Sequence, residues 1–115
     1  MLYSVMKPFL GDEQALMDRM AGRLDVWEEC VLLFPREEII KEMDEALENN
    51  AFSALFGCVH RLKGNLANFG FDAASEVAKK VLAALREENI PQAQKLYGEL
   101  RETYRQIIER IGECQ

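Results

Sequence analysis

Phe52-Ser53-Ala54-Leu55-Phe56-Gly57-Cys58-Val59-His60-Arg61-Leu62-Lys63-Gly64-Asn65-Leu66-Ala67-Asn68-Phe69-Gly70 is the stretch whose spacing decides the fold. Phe52, Leu55, Phe56, Val59, Leu62, Leu66 and Phe69 recur at the three- and four-residue steps that line one face of a helix. The stretch predicts a helix over about 51–69, with Gly70 as its C-cap. The only histidine, His60, falls about 100° from the centre of the apolar stripe, at the margin of the buried face. Ser53, Gly57, Gly64 and Ala67 lie within about 60° of it on the helical wheel, and all are small. Two glycines inside a helix cost roughly 1 kcal/mol each against alanine. Their place beside the only histidine predicts a close approach to the backbone there. Lys63, one turn on, can meet a negative charge on His60.

Outward from this helix the pattern is helical almost throughout. Asp12 starts a short helix that runs to about Ala21 and ends near Gly22. A second segment begins at Leu24-Asp25 and carries Val26, Trp27, Cys30, Val31 and Phe34 at helical spacing. Pro35 interrupts it, since proline lacks the amide proton a helix interior needs. The pattern resumes with Ile39, Ile40, Met43 and Leu47 and stops at Asn49-Asn50. Beyond Gly70, Asp72 is placed to cap a helix with Val77, Val81 and Leu85 inward. Asn89-Ile90-Pro91 opens the last helix, with Pro91 in its first turn. Ala93, Leu96, Tyr97, Leu100, Tyr104, Ile107, Ile108 and Ile111 form its apolar face, and Gly112 is expected to end it. The expected fold is all-α: an antiparallel up-down four-helix bundle over about 24–112, with a short additional N-terminal helix in a cover segment, about 1–22. The 115 residues make a single domain.

Composition narrows the function. Apolar residues are 49% of the chain and charged residues 30%, an ordinary globular mix. The net charge of -6 sets nucleic acid aside, since phosphate binding needs a basic surface. A local basic patch would favour an acidic protein partner. Met1–Leu10 is apolar but too short to span a membrane and lacks a signal-peptide layout, so a cytoplasmic protein is expected. Cys30, Cys58 and Cys114 fit no metal pattern and are expected as reduced thiols, two buried and one on the tail. One stripe per helix is enough for one bundle, so a monomer is expected.

The run His60-Arg61-Leu62-Lys63-Gly64, then five residues, then Gly70 resembles the signature of histidine phosphotransfer (HPt) domains. The resemblance extends over about 12–112. It implies His60 as phosphoacceptor, Lys63 as the lysine that stabilises the phosphoryl charge, Gly64 as the docking glycine and Gly70 as the helix-ending glycine. Asn68 matches a residue often found at its place. Val81-Leu82 stands where the family often has Leu-Glu, and Asn65 where a small residue is common; Asn65 lies about 140° from His60, clear of a docking partner.

The resemblance further implies a two-component phosphorelay. The partners would be a response-regulator receiver domain and, upstream, a histidine kinase or hybrid kinase. The receiver would supply the aspartate and Mg²⁺, this chain binding no cofactor and no metal. The chain ends at Gln115 without a kinase domain, so a stand-alone relay protein or an excised domain is expected. Imidazole suits the task because it is mostly neutral near pH 7 and has a free lone pair. The outward nitrogen, Nε2, is the expected nucleophile. The chain is expected to be a phosphocarrier and not an enzyme. It has no glycine-rich nucleotide loop, Walker motif or strand-helix alternation.

Two other functions fit a helical bundle. A non-catalytic adaptor would dock receivers through the same face without carrying phosphate, and would need neither His60 nor Lys63. A helical enzyme or metal protein would use the carboxylates, but the neighbouring acids Glu28-Glu29 and Glu37-Glu38 point in different directions, and the Glu-x-x-His pair of a bundle metal site is absent.

Overall fold

The structure is a computed structural model that describes residues 2–34 and 37–113. Among these residues it is all helical. The elements are α1 (Leu2–Met6), a 3₁₀ turn (Lys7–Phe9), α2 (Glu13–Arg19), α3 (Leu24–Leu33), α4 (Glu37–Glu48), α5 (Phe52–Asn68), α6 (Asp72–Arg86) and α7 (Ile90–Glu113). The expected interruption at Pro35 lies outside the described residues, but Phe34 before it is extended, with φ -68° and ψ 126°. That is the conformation a following proline imposes.

Helices α4, α5, α6 and α7 pack in sequence, and α4 also touches α7. The α7 helix has 24 residues. At about 1.5 Å per residue it nearly spans the longest dimension of the molecule, which is 41 Å. The core between these helices holds Met43, Leu55, Val59, Leu62, Leu66, Val81, Leu82, Leu100, Tyr104 and Ile107, all within 2% of complete burial. The stripes seen in the sequence are thus the buried faces, with Phe52, Phe56, Val77, Leu96 and Ile108 only partly covered at their edges.

The N-terminal segment closes one end. Leu2, Tyr3 and Met6 of α1 are buried, against α7 and α3. This helix was not expected: five residues have no stable helical form of their own, and tertiary packing supplies the stability. Asp12 caps α2 by accepting from the Ala15 amide at 3.0 Å. The chain between α1 and α2 is strapped to the α5–α6 turn, with the Gly11 amide on the Gly70 carbonyl at 2.9 Å and the Asp12 amide on Asp72 Oδ2 at 2.9 Å.

Four expectations need correction. Asp72 does not cap α6; it is the first helical residue, and its carboxylate serves Asp12 from across the turn. Gly112 does not end α7, which continues to Glu113. Cys30 is exposed, not buried. Val26 is also exposed, because α3 turns the adjacent stripe of Trp27 and Val31 inward. Cys58 is buried as expected, and Cys114 lies outside the described residues.

Candidate functional site

The α5 helix places His60 at its centre, with eight residues on either side. Its C-terminal end is fixed by a Schellman turn. Gly70 adopts φ +86°, its amide donates to Ala67, and the Phe71 amide reaches back to Leu66 at 2.8 Å. Two side chains, from α2 and α3, also donate to carbonyls at this end. Arg19 donates to Ala67 O at 2.9 Å, and Trp27 Nε1 to Phe69 O at 2.9 Å. On the α6 side, Ser75 donates its hydroxyl to the Lys63 carbonyl at 3.2 Å. The helix that carries His60 is therefore held along its buried side and at its C-terminal end.

His60 is exposed, while its neighbour Val59 is completely buried. Ser53 is exposed, and Gly57, Gly64 and Ala67 are half-buried on the same face. Apart from its chain neighbours and its own helix backbone, a Cβ added at Gly57 or at Gly64 would meet no described atom within 4 Å. Among the described residues neither glycine makes room for a neighbour, so the clear ground beside His60 faces outward. Lys63 is half-buried and, among the described residues, has no ion-pair partner. Asn68 is exposed beside the closing turn, and Gly70 is buried beneath Leu16 and Leu10.

The sequence left open what orients the imidazole. Among the described residues no group hydrogen-bonds to it. Its contact is with Phe56, whose ring lies nearly parallel to it, with centroids 6.3 Å apart and planes 16° from each other. The guanidinium of Arg86, the last residue of α6, sits 5.2 Å from the centre of the Phe56 ring. Neither residue was singled out from the sequence. The four-residue step from Phe56 to His60 was legible there, but the approach of Arg86 was not.

The other flank of the face is polar. Arg61 reaches Glu42 of α4 at 3.9 Å and Cys58 Sγ at 3.6 Å, and Cys58 Sγ lies 3.5 Å from the Glu42 carboxylate. Burial, together with the Glu42 carboxylate, pushes the Cys58 thiol pKa up, away from the thiolate. The thiol is buried, and the thiolate, the nucleophilic form of a cysteine, is disfavoured there. Among the described residues no group of three or more His, Cys, Asp or Glu side chains is placed to hold a metal ion.

An exposed histidine thus stands on a supported helix, flanked by open glycines and by a lysine that has no ion-pair partner among the described residues. The family model described as Hpt domain matches residues 36–110. The chain belongs to the Hpt domain family. Membership implies a phosphotransfer role in a two-component phosphorelay, and Hpt domains act as phosphocarriers. The match spans α4 to α7 and leaves out α1, α2 and α3. No curated protein and no solved structure gives a significant match to the chain. Among the described residues no helix is long and apolar enough to cross a membrane.

Proposed function

We propose that this Hpt domain carries a phosphoryl group on His60 and exchanges it with the phospho-aspartate of receiver domains. The observation that carries the proposal is the exposed imidazole on the face where Gly57 and Gly64 leave open ground. The outward ring nitrogen, Nε2, attacks phosphorus. The N–P bond forms as the P–O bond to the receiver aspartate breaks, and the carboxylate leaves with the bonding pair. The proton on the other ring nitrogen stays until solvent takes it. Reversal returns the group to a second receiver. Phosphoryl transfer rests on positioning and charge neutralisation. This chain supplies both: a fixed nucleophile, and Lys63 to offset the phosphoryl charge. Mg²⁺ belongs to the receiver and neutralises the other side.

Gly57, Gly64, Ser53 and Ala67 form the docking ground on which the receiver loop approaches the α5 backbone. Asn68 and Gly70 hold the end of that helix. The α4–α7 helices act as one antiparallel up-down bundle within a single domain. The chain works as a monomeric cytoplasmic phosphocarrier between a histidine kinase or hybrid kinase and a response regulator, with no catalytic activity of its own.

The test is to charge a receiver with acetyl phosphate and Mg²⁺, add this protein, and follow its intact mass. The parent gains an acid-labile phosphoryl group and His60→Gln does not. A folded parent that stays unlabelled with several receivers would instead identify an adaptor.

A further inference from the structure

The nucleophile has a second requirement, and the structure meets it with a feature outside the His-x-x-Lys-Gly run. A phosphoacceptor imidazole must present one nitrogen along the line of attack, and misalignment of the reacting atoms slows transfer. The terminal torsion of a histidine is broad, so an exposed ring on a helix has no intrinsic reason to hold one orientation. Hydrogen bonding usually fixes it, yet among the described residues His60 has no such partner. Its ring instead stacks on Phe56, at 6.3 Å and 16°.

Phe56 is itself held. It is half-buried on α5, and the Arg86 guanidinium lies 5.2 Å from its ring centre. A cation over an aromatic face is attracted by the ring quadrupole. Arg86 ends α6, and α6 packs along α5, so this contact ties the stack to the neighbouring helix. The adjoining groove, about 450 Å³, is lined by Phe52, Ser53, Phe56, Leu85, Glu88 and Ile90. One face of this cluster is therefore open, and Phe56 is not simply a core residue.

We infer that Phe56 is the positioning residue of His60: its ring, clamped by Arg86, restricts the imidazole to orientations that keep one ring nitrogen in solvent for attack. This rests on His60 being the phosphoacceptor. It adds the element that aims the ring.

Because His60 is the only histidine, its imidazole gives one set of ring signals in NMR, readable without any partner. Phe56→Leu keeps an apolar side chain and removes the flat face, whereas Phe56→Tyr keeps it. Loss of the Phe56 ring current alone shifts those signals, so orientation is read from the NOEs and side-chain couplings of the imidazole, which should average in Phe56→Leu and keep the parent pattern in Phe56→Tyr. In single-turnover transfer from a charged receiver, Phe56→Leu should lower the maximal rate about fivefold, the size an aromatic contact of this class gives. The half-saturating receiver concentration should not change. Phe56→Tyr should restore the rate to within about twofold on the same scale.

Should Phe56→Leu unfold, Arg86→Gln removes the clamp from an exposed site and should shift the same NOEs and couplings toward averaging by a smaller amount. NOEs and couplings identical in parent and folded variants would overturn the inference. So would a raised half-saturating concentration with an unchanged maximal rate, since that makes Phe56 a docking contact. If the parent accepts no phosphoryl group, the carrier proposal fails on its own, and the NOEs and couplings still decide whether Phe56 orients His60.

Discussion

The indole N–H of Trp27 donates to the Phe69 carbonyl at 2.9 Å, across 42 residues of chain. Phe69 follows the last turn of α5, where helix carbonyls have no partner within the helix. Trp27 is completely buried, so its N–H must find an acceptor inside the protein. The bond joins α3, which the family match does not cover, to the end of the helix that carries His60. Trp27→Phe keeps most of the ring and removes the donor. It should cost about 1–3 kcal/mol in denaturant unfolding, the range for a buried acceptor left unsatisfied. Phosphotransfer by the folded fraction should be unchanged.

The glycines of α5 should separate stability from function. Gly57→Ala and Gly64→Ala place a methyl group in open space. Each should raise stability by about 0.5–1 kcal/mol, since alanine favours a helix over glycine. Larger residues at Gly64, such as glutamine, should fold normally and slow transfer by blocking the receiver loop. Gly70→Ala should do the opposite. Its φ of +86° strains any side chain, and a Cβ there would lie 2.9 Å from Leu16 Cδ2. It should lose about 1–3 kcal/mol, measured by thermal or denaturant unfolding.

Asp44 of α4 accepts short hydrogen bonding from the Tyr97 hydroxyl of α7, and Arg101 Nε donates to the same carboxylate at 3.0 Å. Burial raises the Asp44 pKa, but the bonds from Arg101 and Tyr97 outweigh it and the net shift is downward. A lowered carboxylate pKa in the folded state gives stability that is present above the unfolded value, about 3.9, and is lost as pH falls through the folded value. Burial and the Asp44 bond both raise the Tyr97 pKa. That contribution is complete below the unfolded tyrosine value, about 10, and fades as pH rises beyond it. Melting temperature should therefore fall at both extremes. Asp44→Asn should flatten the acid limb, and Tyr97→Phe the alkaline one.

Lys63 should matter to rate more than to fold. It has no ion-pair partner among the described residues, so Lys63→Ala should leave the melting temperature nearly unchanged. It should lower the transfer rate about tenfold, the value of one hydrogen bond to a charged group. Lys63→Arg should recover part of that loss. With Mg²⁺ proposed to serve the receiver, its chelation should stop transfer for parent and variants alike.

Much of this was legible in the sequence, for identifiable reasons. The apolar steps of α5 and α7 gave the buried faces, because a helix with one stripe has one way to pack it. Gly70 and Asp12 announced their turns, because each meets a local backbone need. Asp72 misled because its carboxylate serves a backbone amide from a distant segment, and local pattern holds no record of that. In α3, the stripes Val26–Cys30–Leu33 and Trp27–Val31 lie side by side, and packing selects the second, with Trp27 against Tyr3 of α1 and Phe71 of the α5–α6 turn. For the site, His60 stood out by its small neighbours, while the clamp on Phe56 depends on where α6 ends against α5.

The most direct test is to localise and then chase the phosphoryl group. The protein is labelled from a charged receiver, the label is mapped by fragmentation under neutral conditions, and fresh Mg²⁺-bound receiver is added. The account predicts an acid-labile group on His60, absent from His60→Gln, that leaves the parent for the fresh receiver. Label that persists in His60→Gln, or that survives acid and does not transfer onward, would contradict it.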